Sequence, residues 1–309
     1  MRYDHNGMGQ YDMQNVLIIA NPAAGKRAVE AQLGNIMQVF IDSGIAVTAM
    51  ITSRRGEARE IARRHASEYD MAVSVGGDGT LNETVNGIMA AGINKPVAYI
   101  PCGSTNDFAS ACGIPKNILK AAQQAVCGDT LMLNVGTFGE RCFVGTAFFG
   151  AFSWLGYTTD QAKKNRLGFS AYVVDGLKEM KRNQPHRLRL SANGRTYEGE
   201  YIFGAVSNLP TLCGVIKLPC TQSELAERGV FNVLLIKAPK NAASLNDILH
   251  GIKTGSFEGE MFDCFQTEYI AVDNEKGLIW NIDGESSGEL DSFNIRCSKG
   301  ALMFRGAKL

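Results

Sequence analysis

Met71-Ala72-Val73-Ser74-Val75-Gly76-Gly77-Asp78-Gly79-Thr80 is the stretch that decides how this chain folds. Its first five residues form a short apolar run of the kind a buried strand needs, and residues 81–91 carry a helical pattern. Three glycines and one carboxylate therefore sit on a turn between a strand and a helix. Glycine lets a backbone approach a bulky anion closely, and positive φ costs it little. The helix start behind the turn offers N–H groups that lack intrahelical partners. A carboxylate at that place repels phosphate unless a divalent cation stands between them, and Mg²⁺ is held by one or two carboxylates plus phosphate oxygens. The turn thus reads as a phosphate site for a Mg-nucleotide. Gly-Asp-Gly is also ordinary turn chemistry. Thr80-Leu81-Asn82-Glu83 fits an S/T-x-x-E capping box, which needs no ligand.

Outward from this stretch, strand and helix alternate. Residues 16–20 are a buried-strand run, and residues 27–43 place Val29, Leu33, Ile36, Met37 and Phe40 on one helical stripe that stops at Gly44. A strand over 45–51, a helix over 57–65, a strand over 97–100 and helical pieces near 105–112 and 116–126 complete the first half. This alternation predicts a parallel sheet covered on both faces. Near residue 130 the pattern changes. Strand-like segments at 131–135, 141–148, 186–191, 195–206, 229–237, 267–273, 278–282 and 292–304 predict an antiparallel sandwich or meander, interrupted by helical inserts near 169–182 and 242–253. Residues 1–14 read as a disordered extension.

The bulk numbers narrow the function classes. A length of 309 residues suggests two domains. A formal net charge of zero argues against wholesale electrostatic capture of nucleic acid or of an acidic membrane. The eight cysteines include no C-x-x-C, and none pairs with the four histidines at metal-ligand spacing. The first fifteen residues are polar rather than a secretory signal, so reduced cysteines in the cytoplasm are expected. No apolar run is long enough to span a bilayer.

Three polar, glycine-bearing turns follow predicted strands: Asn21-Pro22-Ala23-Ala24-Gly25-Lys26, the Gly76–Thr80 turn quoted above, and Pro101-Cys102-Gly103-Ser104-Thr105-Asn106-Asp107-Phe108. In an open parallel sheet such loops share the edge where ligands bind. Neither a Walker A loop nor G-x-G-x-x-G follows the first strand, so a nucleotide must be held by the Gly76–Thr80 turn itself. In the second half, Asp283-Gly284 is a hairpin signal that leaves Glu285 beside a turn. A carboxylate there suits a general base toward a hydroxyl acceptor. Residues 163–195 are rich in lysine and arginine, a solvated face or a site for phosphate or anionic headgroups. Residues 143–157 mix aromatic and small side chains, fitting a core strand or an apolar pocket for an acyl chain.

Together these residues resemble the diacylglycerol kinase catalytic-domain family, which includes bacterial soluble lipid kinases and sphingosine kinases. The matching pieces are Asn21-Pro22 through Gly25, Gly76 to Thr80 with Asn82-Glu83, Pro101 to Phe108, and Asp283-Gly284-Glu285, in the family's order along most of the chain. GGDGT is shared with NAD kinases and phosphofructokinases; Gly-Ser-Thr-Asn-Asp-Phe points to the lipid-kinase branch. The resemblance implies a Rossmann-like nucleotide domain over 15–130 with 297–309 packed back on it. A β-sandwich lipid-substrate domain follows over 131–296, with ATP in the cleft between the two. It implies ATP contacts from Asn21, Pro22, Ala23, Ala24, Gly25, Thr52, Gly76, Gly77, Asp78, Gly79, Thr80, Asn82, Glu83, Ser104 and Asn106. Arg166, in Arg166-Leu167-Gly168, resembles a phosphate-contacting arginine. Asp78 would hold the catalytic Mg²⁺ network, through water, and Glu285 would match the general base.

Two positions depart from the family pattern. Asn134 stands where an aspartate of the same metal network is common, and its uncharged amide implies a weaker, outlying role there. Arg228-Gly229 stands where bacterial members bind a structural Mg²⁺ through Asp-Gly; an arginine cannot ligate a cation, so that metal is expected to be missing. The expectation is an ATP-dependent lipid kinase acting on diacylglycerol or a related lipid alcohol at a membrane surface. It would be cytoplasmic or peripheral, with a homodimer left open and no nucleic-acid partner. The rivals are a soluble-substrate kinase such as an NAD kinase, and a nucleotide-binding regulatory protein that has lost turnover.

Overall fold

The computed structural model describes residues 13–25, 27–150, 185–212 and 216–309. Arg166, Lys26, the predicted helix over 169–182, most of the basic segment and nearly all of the N-terminal extension lie outside the described residues.

Strands β1 (Asn15–Ala20), β2 (Ala46–Ile51), β3 (Met71–Gly76) and β4 (Val97–Pro101) pair in parallel in the order β2-β1-β3-β4. Every residue of β3 and β4 is buried, as uninterrupted apolar runs require. Helices α1 (Ala28–Ile41), α2 (Glu57–His65), α3 (Asp78–Ala90), α4 (Asp107–Ala111) and α5 (Ile118–Cys127) make the connections and carry Ile36, Phe40, Ala62, Leu81, Val85 and Ala122 into the core beside them.

The glycine-rich turn differs from its expectation. Helix α3 begins at Asp78, so Asp78, Gly79 and Thr80 form its first turn, behind an extended Gly77. No side chain caps this helix, and the box expected from Thr80 and Glu83 is not formed. Glu83 instead accepts from the amides of Gly56 and Ala58 at 2.9 and 3.2 Å, capping α2 from across the interface. Glu83 stands three positions after Thr80, but its carboxylate is taken by the amides at the start of α2.

The second half comprises β5 (Thr130–Phe138), β6 (Arg141–Phe143), β7 (Thr146–Gly150), β8 (His186–Ala192), β9 (Arg195–Ser207), β10 (Thr211–Leu212), β11 (Ile216–Lys217), β12 (Phe231–Lys237), β13 (Phe262–Thr267), β14 (Tyr269–Ile282) and β15 (Glu285–Arg305), with helices α6 (Gln222–Arg228) and α7 (Ala242–Thr254). Their pairings with one another are antiparallel. They do not stand apart from the parallel block. One hydrogen-bonded path runs β13-β12-β9-β7-β14-β15-β4-β3-β1-β2. The link is β15, 21 residues long, antiparallel to β14 at its start and parallel to β4 at its end, where Phe304 pairs with Val97. The fold is therefore α/β with mixed strand pairing. The predicted strands at 267–273 and 278–282 are one strand whose register shifts between Asp273 and Leu278. Helix α6 was not anticipated, although Thr221-Gln222-Ser223-Glu224 forms a complete capping box.

The chain end returns to the first half. The Arg305 guanidinium donates to the carbonyls of Ala125 and Val126 at 3.0 and 2.7 Å, satisfying the C-terminus of α5. Among the described residues, no helix is long and apolar enough to cross a membrane.

Candidate functional site

The loops after β1, β3 and β4 meet at the sheet edge with almost no space between their backbones. Gly25 has φ 61°, and a Cβ there would fall 2.1 Å from the Cys102 carbonyl oxygen. A Cβ on Gly103 would fall 2.7 Å from Cα of Gly77. Only glycine permits both contacts. Asn21 Nδ2 donates to Thr80 Oγ1 at 3.2 Å, and Asn106 closes its own loop by accepting from Gly103 N–H and donating to Gly103 C=O at 2.9 and 2.7 Å. Thr52, buried at the end of β2, is tied to the carbonyl of Ala20.

Asp78 stands at the centre of these loops. Its Oδ2 accepts from the amide of Asp107 at 3.0 Å, and the Tyr99 hydroxyl lies 3.4 Å from its Oδ1. Burial, then the charge of Asp107, pushes its carboxyl up to about 7; Asp283 adds to the effect. The described residues around the cavity include five carboxylates (Asp78, Glu83, Asp107, Asp283, Glu285) and two guanidiniums (Arg54, Arg55). Arg54 is held by Glu60 at 2.7 Å. A buried carboxylate with further carboxylates beside it suits a hard cation shared with phosphate. No group of three or more His, Cys, Asp or Glu among the described residues is placed to hold a metal on its own.

Asp283 and Glu285 arrive from the opposite wall. Asp283 (φ 47°) and Gly284 (φ 94°) form the β14–β15 hairpin, which bears out the turn reading of that pair. The turn reading did not anticipate the side chain. Asp283 Oδ1 accepts from the amide of Thr146 at 2.7 Å, and Oδ2 accepts from the amide of Val144 at 2.8 Å and from Asn82 Nδ2 at 2.7 Å, with Gly145 N–H between the two oxygens. Burial raises its pKa against the pull of these donors. Glu285 Oε1 lies 3.0 Å from Arg55 Nη2 and 3.1 Å from Arg55 Nε.

One cavity of about 940 Å³ joins these features. Asn21, Pro22, Ala23, Ala24, Gly25, Thr52, Gly77, Asp78, Gly79, Thr80, Glu83, Ser104, Asn106 and Glu285 all line it. Gly76 and Asn82 do not; both are buried behind the wall. The same cavity has an apolar lining from Phe148, Phe203, Leu209, Leu212 and Ile216, of which Phe148, Phe203, Leu212 and Ile216 pack in one cluster. From the predicted 143–157 stretch, Val144, Gly145, Thr146 and Phe148 reach the cavity.

Asn134 does not take the outlying metal-network role that the resemblance implied. It does not line the cavity, and its side chain is taken up elsewhere: its amide donates to the carbonyl of Leu225 at 2.6 Å and accepts from the amide of Gly300 at 3.1 Å. Buried among backbone groups, it is consumed by satisfying them. Arg228 directs Nη1 at Cys220 Sγ, 3.6 Å away, and offers no cation ligand. Arg55 and Asp107 line the cavity without having been singled out; a charged residue in a loop after a strand was the signal available.

The chain and its fold are similar to known proteins. Residues 15–138 match the family model described as the diacylglycerol kinase catalytic domain. The chain is 28% identical over 280 residues to diacylglycerol kinase of Bacillus subtilis (strain 168), covering 90% of this chain and 92% of that protein. It is 27% identical over 279 residues to diacylglycerol kinase of Staphylococcus carnosus (strain TM300), covering 88% and 89%. A crystal structure from Bacillus anthracis str. Sterne has the same fold, with TM-score 0.80 at 24% identity over 96% of this chain and 98% of that one. A diacylglycerol kinase structure from the same organism gives 0.74 at 20% identity, covering 96% and 97%. The resemblance to the diacylglycerol kinase family, read first from the loops, is shown by the family model and the relatives, which support a kinase; the solved structures show the same fold.

Proposed function

We propose that this protein is an ATP-dependent lipid kinase that transfers the γ-phosphate to the hydroxyl of diacylglycerol or a related lipid alcohol. The observation that carries this reading is the make-up of one cavity, lined together by glycine-rich loops with Asp78, by the apolar side chains of Phe148, Phe203, Leu209, Leu212 and Ile216, and by Glu285. The loops after β1, β3 and β4 cradle the triphosphate with backbone amides, helped by the first turn of α3. Thr52 and Ser104 contact the nucleotide. Asp78 would hold Mg²⁺ beside the phosphates, where the ion would offset their charge. Phe148, Phe203, Leu209, Leu212 and Ile216 receive the acyl portion of the acceptor. Glu285 takes the proton of the acceptor hydroxyl as its oxygen bonds to the γ-phosphorus, and the bond from that phosphorus to the β-phosphate oxygen breaks to release ADP.

In this reading residues 15–130 with 297–309 form the nucleotide domain and 131–296 the lipid domain. The protein works in the cytoplasm and meets its acceptor at the membrane surface. The test is incubation with γ-labelled ATP and extracted lipids, with NAD as the competing soluble acceptor. A labelled lipid identified as a phosphorylated diacylglycerol or related alcohol supports the reading. Label on NAD, or ATP binding without transfer to any acceptor, sinks it.

A further inference from the structure

We infer that Arg55 exchanges partners during the reaction: it holds Glu285 while no triphosphate is bound and moves to the transferring phosphate when one arrives. The inference rests on the kinase reading above. The pair joins residues 230 positions apart, one on the loop after β2 and one at the start of β15, so it spans the cavity mouth between the phosphate loops and the hairpin. Both Nε and Nη2 point at a single oxygen, Glu285 Oε1. Guanidinium donors lie in a fork that matches two oxygens of a phosphate better than one oxygen of a carboxylate. The Arg55 side chain is 72% exposed, so solvent screens the present pair and the side chain is able to move.

Charge points the same way. Among the described residues lining the cavity, Arg54 is tied to Glu60, which leaves Arg55 as the guanidinium already turned toward the reacting carboxylate. While Arg55 sits on Glu285, the carboxylate faces a cation rather than an acceptor hydroxyl. A phosphate that draws Arg55 away frees Glu285 and gains a charge-assisted contact in the same movement. The base is thereby released only when the donor is in place. Arg55 is a positioning residue for Glu285 and a contact of the terminal phosphate.

The experiment compares wild type, Arg55→Ala and Arg55→Lys. Affinity is measured by calorimetry for ADP and for a non-hydrolysable ATP analogue, and kcat and KM for ATP are measured with the acceptor found in the lipid screen. Arg55→Ala should weaken the triphosphate analogue about tenfold while leaving ADP within about twofold. It should also raise the KM for ATP, and Arg55→Lys should restore affinity in part, because a point charge lacks the fork. Equal loss for both nucleotides, or no loss for either, overturns the exchange. A wild type that binds both nucleotides but phosphorylates no lipid overturns the lipid-kinase reading alone, because the calorimetric comparison still reports on Arg55. A wild type that binds neither nucleotide overturns both.

Discussion

Asn82 Nδ2 lies 2.7 Å from Asp283 Oδ2, and the two residues are 201 positions apart in the chain. Asn82 belongs to the helix that begins at Asp78, and Asp283 to the hairpin that presents Glu285. This hydrogen bond, with the three amides from Val144 to Thr146, sets the distance between the phosphate loops and the proposed base.

Replacing that anchor should cost stability as well as activity. Asp283→Ala leaves three backbone amides and the Asn82 amide without their acceptor, and each buried donor left unpaired costs about 1–3 kcal/mol. We expect a loss of about 3 kcal/mol or more in urea unfolding, seen as a lower midpoint with unchanged slope. A loss under about 1 kcal/mol would show that the hairpin is held by other contacts.

Asp78→Ala should abolish phosphate transfer while the fold persists. Removing a carboxyl that burial and Asp107 already push up to about 7 relieves desolvation, which offsets the acceptor lost to the Asp107 amide, so far-ultraviolet circular dichroism and the melting temperature should stay near wild type. An active Asp78→Ala protein with ordinary Mg²⁺ dependence contradicts the proposed chemistry.

The apolar lining of the cavity should govern the acceptor and not the donor. Leu212→Trp fills space beside Phe148 and Phe203. It should raise the KM for a long-chain lipid alcohol several-fold more than for a short-chain one, with ATP affinity unchanged. Equal effects on both chain lengths would place the acyl portion elsewhere.

His186 gives a pH dependence that lies outside the site. The ring packs edge-on against Phe149, with centroids 5.7 Å apart, and burial lowers its pKa from 6.5. The unfolded chain therefore binds this proton more readily than the folded one. Stability from the neutral ring is fully present above about 6.5 and is lost as pH falls through that value toward the lowered folded pKa. The unfolding midpoint of wild type should fall relative to that of His186→Gln as the pH drops from 7.5 to 5. A constant difference across that range would rule out the titration.

Local pattern determined the phosphate end of this protein. The apolar runs at 71–75 and 97–100, the helical stripe at 27–43 and the glycine-bearing loops after the strands are short-range features, and burial on both faces follows from their composition. Parallel pairing then puts those loops on one edge without any long-range information. The tertiary structure alone decided what each isolated charge faces. Glu83 left its own helix for the amides of α2, Asn134 turned to the backbone around Leu225 and Gly300, Asp283 entered a nest of amides more than a hundred residues upstream, and Arg55 met Glu285. Periodicity fixes which face of an element is buried, but a polar side chain takes its partner from whichever unsatisfied donor or acceptor the packing brings within about 3 Å.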